Sequence, residues 1–371
     1  MSSLEAVKQH KSEIIRRFGK PEDARAWWET ATTLLPMALA FWGAVVCLER
    51  SVWLALPFIP LLGLLTMRVL VLLHECGHGN FFRSQRLNRA IGFLFGVISG
   101  MPQYVWSQNH NIHHATNGNW EKFRGPLTSP STDEYRAMGE RGQRLYRRLR
   151  HPAMAPLAGF LYLLFNPRFT WIKGSLALLG HLWRSRGTAG GASLKSRAMA
   201  WKSRYWKTWR EFQHMSWNNL VVLPLWALMI ATLGWDVFFI VYVASVSLAG
   251  GAGIALFTVQ HNFEHAYAAD TAHWDYDAGA IHGTSFMLFP GWLNWFTADI
   301  AYHHVHHLST RIPSYRLAEC HRAYENLFTE VPRVRLRQVP ASLRCLLWDR
   351  QAQRMISFAE FDAQQRGPAT A

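Results

Sequence analysis

A chain of 371 residues would ordinarily divide into two or three soluble domains of roughly 100 to 200 residues each. Half of its residues are hydrophobic and only 17% are charged, against about 25% charged in an average soluble domain. Its 22 Phe, 18 Trp and 11 Tyr exclude disorder, and a mean hydropathy of −0.05 excludes a chain that fills the membrane throughout. A net charge of +15 from 39 Lys and Arg against 24 Asp and Glu fits either nucleic acid or a surface held against anionic lipid.

In chain order, residues 1–30 carry six basic side chains and no apolar signal core, so the first span is expected to serve as its own insertion signal. Apolar stretches follow at 31–48, 52–73, 217–235 and 237–259, each of a length that crosses a hydrocarbon layer of roughly 30 Å as a helix. Glu49-Arg50-Ser51 turns the first pair and Asp236 the second, which makes two hairpins. Two further stretches, 90–106 and 153–182, are apolar but broken by Gly or Asn-Pro, and are predicted to lie in the interface. The polar stretches 121–150 and 184–210 carry no assigned chemistry, and the periodicity of 340–360 predicts a surface helix. Of the 39 Lys and Arg, only Arg50 and Arg68 fall outside 1–30, 74–216 and 260–371. This bias orients both termini and the long middle segment to the cytoplasm, most simply of an inner cell membrane, and leaves nucleic acid without a motif. The fold class predicted is an all-α integral membrane protein. An N-terminal segment (1–30), a membrane domain (31–322) with a helical cytosolic cap, and a C-terminal tail (323–371) are its expected parts. Four Cys fall in no zinc or haem spacing.

Histidine carries the chemistry. Ten of the 18 His repeat at spacings of three and four: His74 and His78; His110, His113 and His114; His261 and His265; His303, His306 and His307. Such spacings put side chains on one helix face with Cβ atoms about 5–6 Å apart. His74 directly follows the second span and His261 nearly follows the fourth, so two returning hairpins deliver imidazoles to the same face. One tetrahedral ion needs four ligands. Ten imidazoles fit two ions with positions left for water, oxygen or substrate, and imidazole alone does not choose among Fe, Cu, Zn and Ni.

HECGHGNFF at 74–82, HNIHHATNGNWE at 110–121, VQHNFEHAY at 259–267 and NWFTADIAYHHVHHLSTRIPSY at 294–315 resemble the histidine boxes of the membrane fatty acid desaturases, in order, interval and preceding hairpins. The resemblance spans roughly residues 30–320. It implies two non-haem Fe ions on the cytosolic face that use O2 and two external electrons to insert a double bond into a fatty acyl chain. It assigns metal binding to His74, His78, His110, His113, His114, His303, His306 and His307, and to His265 as the added ligand between the last two boxes. His261 is given either a direct or a water-mediated place. His304 lies beside the pattern and is, with Glu75, Glu264 and Asp299, a candidate for orienting imidazoles.

An unactivated methylene has no acidic proton and no leaving group, so side-chain acid–base catalysis cannot cleave it and a cofactor must supply the oxidant. The expected substrate is a membrane lipid or an acyl thioester. No reductase module is encoded, so an external carrier of the ferredoxin kind is expected to dock on the basic face. A hydroxylase of the same superfamily is the alternative. His74-Glu75-Cys76-Gly77-His78 also reads as the zinc motif of a membrane protease with Glu75 as base, a reading that leaves eight grouped histidines unexplained.

Overall fold

The computed structural model describes residues 2–122, 129–186 and 191–366; parts of the polar stretches at 121–150 and 184–210, and the end of the tail, lie outside the described residues. The chain is predominantly helical, with two small two-stranded sheets among the described residues. Among the described residues, four helical segments are long and apolar enough to cross a membrane: Asp23–Arg50, Val52–His78, Trp209–Leu233 and Val237–His261. They are the four expected spans, and this is a membrane protein. Each is longer than its apolar stretch. Asp23 begins the first helix and Arg50 ends it, charges that suit the dipole at each end. Thr208 caps the third by accepting from the Glu211 amide.

Burial separates the four into an inner and an outer pair. In the second and fourth spans 61% and 50% of the apolar window is buried, against 17% in both the first and the third. The second and fourth run side by side in the same direction, with Ser245 Oγ donating to the Ile59 carbonyl and a Cβ at Gly63 falling 3.4 Å from Leu248. Their C-terminal ends, His78 and His261, therefore arrive at one face. Within the first hairpin, Arg68 is buried and donates to Thr33 and Glu29, which satisfies an intramembrane charge as such residues require.

The segment expected to lie in the interface at 90–106 is two helices, Gln85–Ser99 and Gln103–Thr116, divided at Gly100 with φ of 78°. The other comprises the helix Ala155–Phe160, a π-helical turn Leu161–Phe165 and the helix Asn166–Arg184. Buried Arg168 pins it by donating to the Gly100 carbonyl and to the Asn218 and Asn219 side chains on the third span.

The cap gathers both ends of the chain. The helix Ser3–Phe18 packs against the helix Tyr276–Ile281 and the segment that follows the last box. Lys8 pairs with Asp275, and Lys11 with Asp277. The stretch 340–360 departs from its expected helix. It forms an antiparallel hairpin of Leu347–Asp349 and Arg354–Ile356, followed by the helix Phe358–Arg366. Asp349 makes the turn by accepting from the Gln351 and Ala352 amides, while Leu347 and Ile356 are buried with Tyr135 and Phe361.

Candidate metal centre

Four helices supply the imidazoles. The second span continues past its apolar stretch to His78, so His74 and His78 occupy its last turns. Gln103–Thr116 presents His110, His113 and His114; His261 ends the fourth span; and the short helix His303–Leu308 carries His303, His306 and His307. They converge as two groups in which one ligand nitrogen per residue lies within 4.8 Å of every other: His74, His78, His110, His114 and His306, and His113, His261, His303 and His307. Neither group comes from one box. Each draws on three separate stretches of chain, so the centre exists only in the folded cap.

In the first group His74 and His78 approach through Nε2 atoms 3.2 Å apart, His110 and His114 at 2.8 Å, and His114 and His306 at 3.1 Å. In the second, His261 Nε2 lies 3.2 Å from His113 Nε2 and 2.9 Å from His303 Nε2. His114 and His307 stack across the two groups at 4.2 Å. Burial, reinforced by repulsion from neighbouring imidazoles, pushes the pKa values of His110, His113, His114, His303, His306 and His307 well below the usual histidine range. In each group the ring nitrogens thus converge on a shared point. Buried atoms such as His307 Nε2 have no hydrogen-bond partner, a cost of roughly 1–3 kcal/mol each unless something is bound. The donor set fits metal ions, one per group.

Two contacts hold imidazoles of these groups on their outer side. The Gly283 carbonyl, 3.2 Å from His261 Nδ1, can only accept, so it fixes the proton on Nδ1 and leaves Nε2 for a metal. Glu75 is fully buried; its Oε2 accepts from the Ser314 amide at 2.8 Å. Its Oε1 lies 2.9 Å from His74 Nδ1 and 3.8 Å from His306 Nδ1, which ties the first box to the third. Held on the outer side of these rings, Glu75 is not where the base of a zinc protease would stand.

Other expected residues lie elsewhere. His265 is in neither group: its side chain is 78% exposed and its near neighbour is Glu264, at 3.9 Å. The helix stops at His261 because the Ser285 amide takes the Gln260 carbonyl, and Ser285 Oγ the Val259 carbonyl. Glu264 and Phe263 would have needed those acceptors to continue the helix, so the four-residue spacing no longer shares a face. Glu264 itself pairs with Arg354 at the surface. Asp299 has Glu29, Arg68 and Arg322 as its charged neighbours, and burial pushes its carboxyl up to about 6. His304 turns away and lies 2.9 Å from His321 Nδ1, between Phe286 and Phe328. In the sequence His321 is one lone His in a helix, with no spacing that marks it.

A cavity of about 630 Å³ adjoins both groups. Met67, Leu70, Val71, Gly253, Ile254 and Phe257 line its membrane side, and His74, His110, His113 and His303 reach into it. Trp106 lines the cavity and stacks on His110 at 4.6 Å. Asn109, Lys122 and Lys207 supply polar lining, with Lys207 Nζ donating to Asn109 at 3.1 Å.

Along most of its length the chain is similar to known proteins. The family model described as "Fatty acid desaturase" matches residues 51–338. A fatty acid desaturase of Bacillus subtilis (strain 168) is 30% identical over 93% of this chain and 89% of its own length. An sn-1 oleoyl-lipid 12-desaturase of Anabaena variabilis is 22% identical over 79% of this chain and 74% of its own. A chloroplastic sn-2 acyl-lipid omega-3 desaturase (ferredoxin) of Helianthus annuus is 23% identical over 80% of this chain and 61% of its own. With the family model covering most of the chain and the histidines gathered into two metal-sized groups, the chain belongs to the fatty acid desaturase family of membrane oxidoreductases.

Proposed function

We propose that this enzyme introduces a C=C bond into the acyl chain of a membrane lipid or acyl thioester, using O2 and an external one-electron carrier. The observation that carries this is the apolar cavity: it runs from the inner pair of spans to imidazoles of both groups. Two iron ions are the metals proposed, one held by His74, His78, His110, His114 and His306 and the other by His113, His261, His303 and His307. When bound, they supply the oxidant that an unactivated methylene requires. The balance is two hydrogens lost from adjacent methylenes, with O2 taking two electrons from them, two from the carrier and two protons from solution to give two waters.

The chain's own residues bind and orient. Met67, Leu70 and Ile254 shelter methylenes from water, Trp106 braces His110, and Glu75 and the Gly283 carbonyl hold imidazoles in register. Lys122 and Lys207 stand where a polar or anionic head would remain outside the apolar part. Residues 31–322 form the catalytic unit of this proposal, flanked by 1–30 and 323–371, with both termini and the metals on the cytosolic side of the inner membrane. The basic cytosolic face suits an acidic ferredoxin-like donor, in keeping with the ferredoxin named for the Helianthus relative. A cysteine placed at Asp236 should be labelled by an impermeant reagent from outside and one at Arg144 should not; the reverse pattern overturns the orientation.

The decisive experiment is gas chromatography with mass spectrometry of fatty acids from cells expressing the chain, beside elemental analysis of the purified protein. A new double bond that forms only with O2, and two irons per chain, are expected. Hydroxy acids in place of unsaturated ones would move the enzyme to the hydroxylase branch, and one zinc with negligible iron would overturn the proposal.

A further inference from the structure

Three glycines lie close together on the fourth span, and packing accounts for two of them. A Cβ at Gly250 would fall 2.7 Å from the Cα of Gly159, and one at Gly251 would fall 2.6 Å from the Ala155 carbonyl oxygen. Both are demanded by the close approach of the helix Ala155–Phe160, as small residues are where membrane helices meet. Gly253 has no such neighbour. A Cβ there would meet only Met67 Sδ, at 3.5 Å, an ordinary van der Waals contact. Glycine inside a helix is unfavourable relative to alanine, so a glycine that packing does not require calls for another reason.

The cavity provides one, because Gly253 and Met67 both line it, with Gly250 lining it about one turn deeper on the same span. Met67 precedes His74 by two turns on the second span, and Gly253 precedes His261 by slightly more on the fourth. At 1.5 Å of rise per residue they lie about 10 Å and about 12 Å deeper than those histidines. The two spans run in the same direction, so the pair meets at one depth on the membrane side of the grouped histidines.

We propose that Gly253 and Met67, above Gly250, form the floor of the acyl cavity, and that the room they leave fixes how many carbons lie between the methyl end of the chain and the bond that is desaturated. This rests on the reading that the cavity holds an acyl chain. A side chain at 253 fills the floor, so the methyl end stops sooner and fewer carbons pass the metal ligands. Truncating Met67 deepens the floor and has the opposite effect. One methylene more or less in a hydrophobic pocket changes preference by roughly tenfold or more, so the shift is readable in product ratios.

The test supplies saturated acids of graded length to cells expressing the wild type, G253A, G253L or M67A, and locates each new double bond by mass spectrometry. G253L is expected to favour, by roughly tenfold over the wild type, products with fewer carbons beyond the bond or a shorter acceptable chain. G253A should give a smaller shift the same way, and M67A a shift toward more carbons beyond the bond. A wild type that forms no double bond defeats the underlying functional reading. A wild type that forms one, with G253L and M67A giving its same product distribution, overturns the floor. Should G253L not accumulate as folded protein, M67A decides alone: a shift toward more carbons supports the floor and an unchanged distribution overturns it.

Discussion

The second and fourth spans end on the same spacing, and the fold treats the two endings differently. His74 and His78 both join the first imidazole group, because the helix Phe58–His78 continues through both and stops only at Gly79, whose φ is 73°. On the fourth span the helix stops at His261, which keeps that residue in its group and leaves His265 at the surface. What differs is who takes the last carbonyls. In the first case no distant group among the described residues donates to them before the glycine; in the second, Ser285 claims those of Val259 and Gln260 from about 25 residues downstream. A four-residue repeat of histidine is thus a statement about one face only while the helix lasts.

The largest test of this contrast replaces the histidines themselves. His78→Ala and His261→Ala should each remove a metal ligand, and product formation should fall by more than the roughly 100-fold seen when only an outer partner of a ligand is lost. His265→Ala should leave both metal content and turnover near the wild type. Elemental analysis and product assay on the same preparations check this. Loss of metal in the His265→Ala protein, with retention in His261→Ala, would reverse the assignment.

A smaller difference is expected of the two glutamates inside the same repeats. Glu75 is buried against His74, His306 and the Ser314 amide, so Glu75→Gln should weaken metal binding roughly 10- to 100-fold while most of the packing survives. Glu264 is more than half exposed and faces Arg354. Such a pair contributes about 0–1 kcal/mol, so Glu264→Gln should leave metal affinity unchanged. Titration with a competing chelator separates the two, and equal effects would show that Glu75 does not orient ligands.

Much of this was legible in the sequence because it depends on local order. The four spans follow from the length of apolar runs, and the inward faces of His110, His113 and His114 and of His303, His306 and His307 follow from helical spacing. The sorting of those imidazoles was not legible. His113 leaves its neighbours His110 and His114 to join His261, and His306 leaves His303 and His307 to join the first box; both partitions depend on how four helices cross. The same limit explains Asp299 and Glu264. Each stands beside a box in sequence, yet one is drawn into the Arg68 and Glu29 cluster and the other to Arg354. The tail failed for a related reason: Leu346, Leu347 and Trp348 are as apolar as a helix face requires, but Asp349 turns the chain and Tyr135 and Phe361 bury the strand.

The smallest expected effects belong to the two helix endings. At Gly79, alanine would have to adopt a left-handed φ, and its Cβ would lie 2.7 Å from the Gln85 amide oxygen, the end of a side chain able to shift. The conformational cost dominates, at about 1 kcal/mol. At Ser285, alanine loses the hydroxyl donated to the Val259 carbonyl, worth about 1 kcal/mol, while the backbone amide still holds Gln260. Total stability should fall about equally in Gly79→Ala and Ser285→Ala, so a melting curve alone does not distinguish the mechanisms. Hydrogen exchange does, since local opening reports the element that has loosened. Gly79→Ala should speed exchange around residues 76–85, and Ser285→Ala around 259–266, where the Asn262 amide now donates to the Thr258 carbonyl at 2.6 Å. If Ser285→Ala leaves 259–266 as protected as before, the distant carbonyl claim is not what ends the fourth span, and the divergence of His265 from His78 needs another cause.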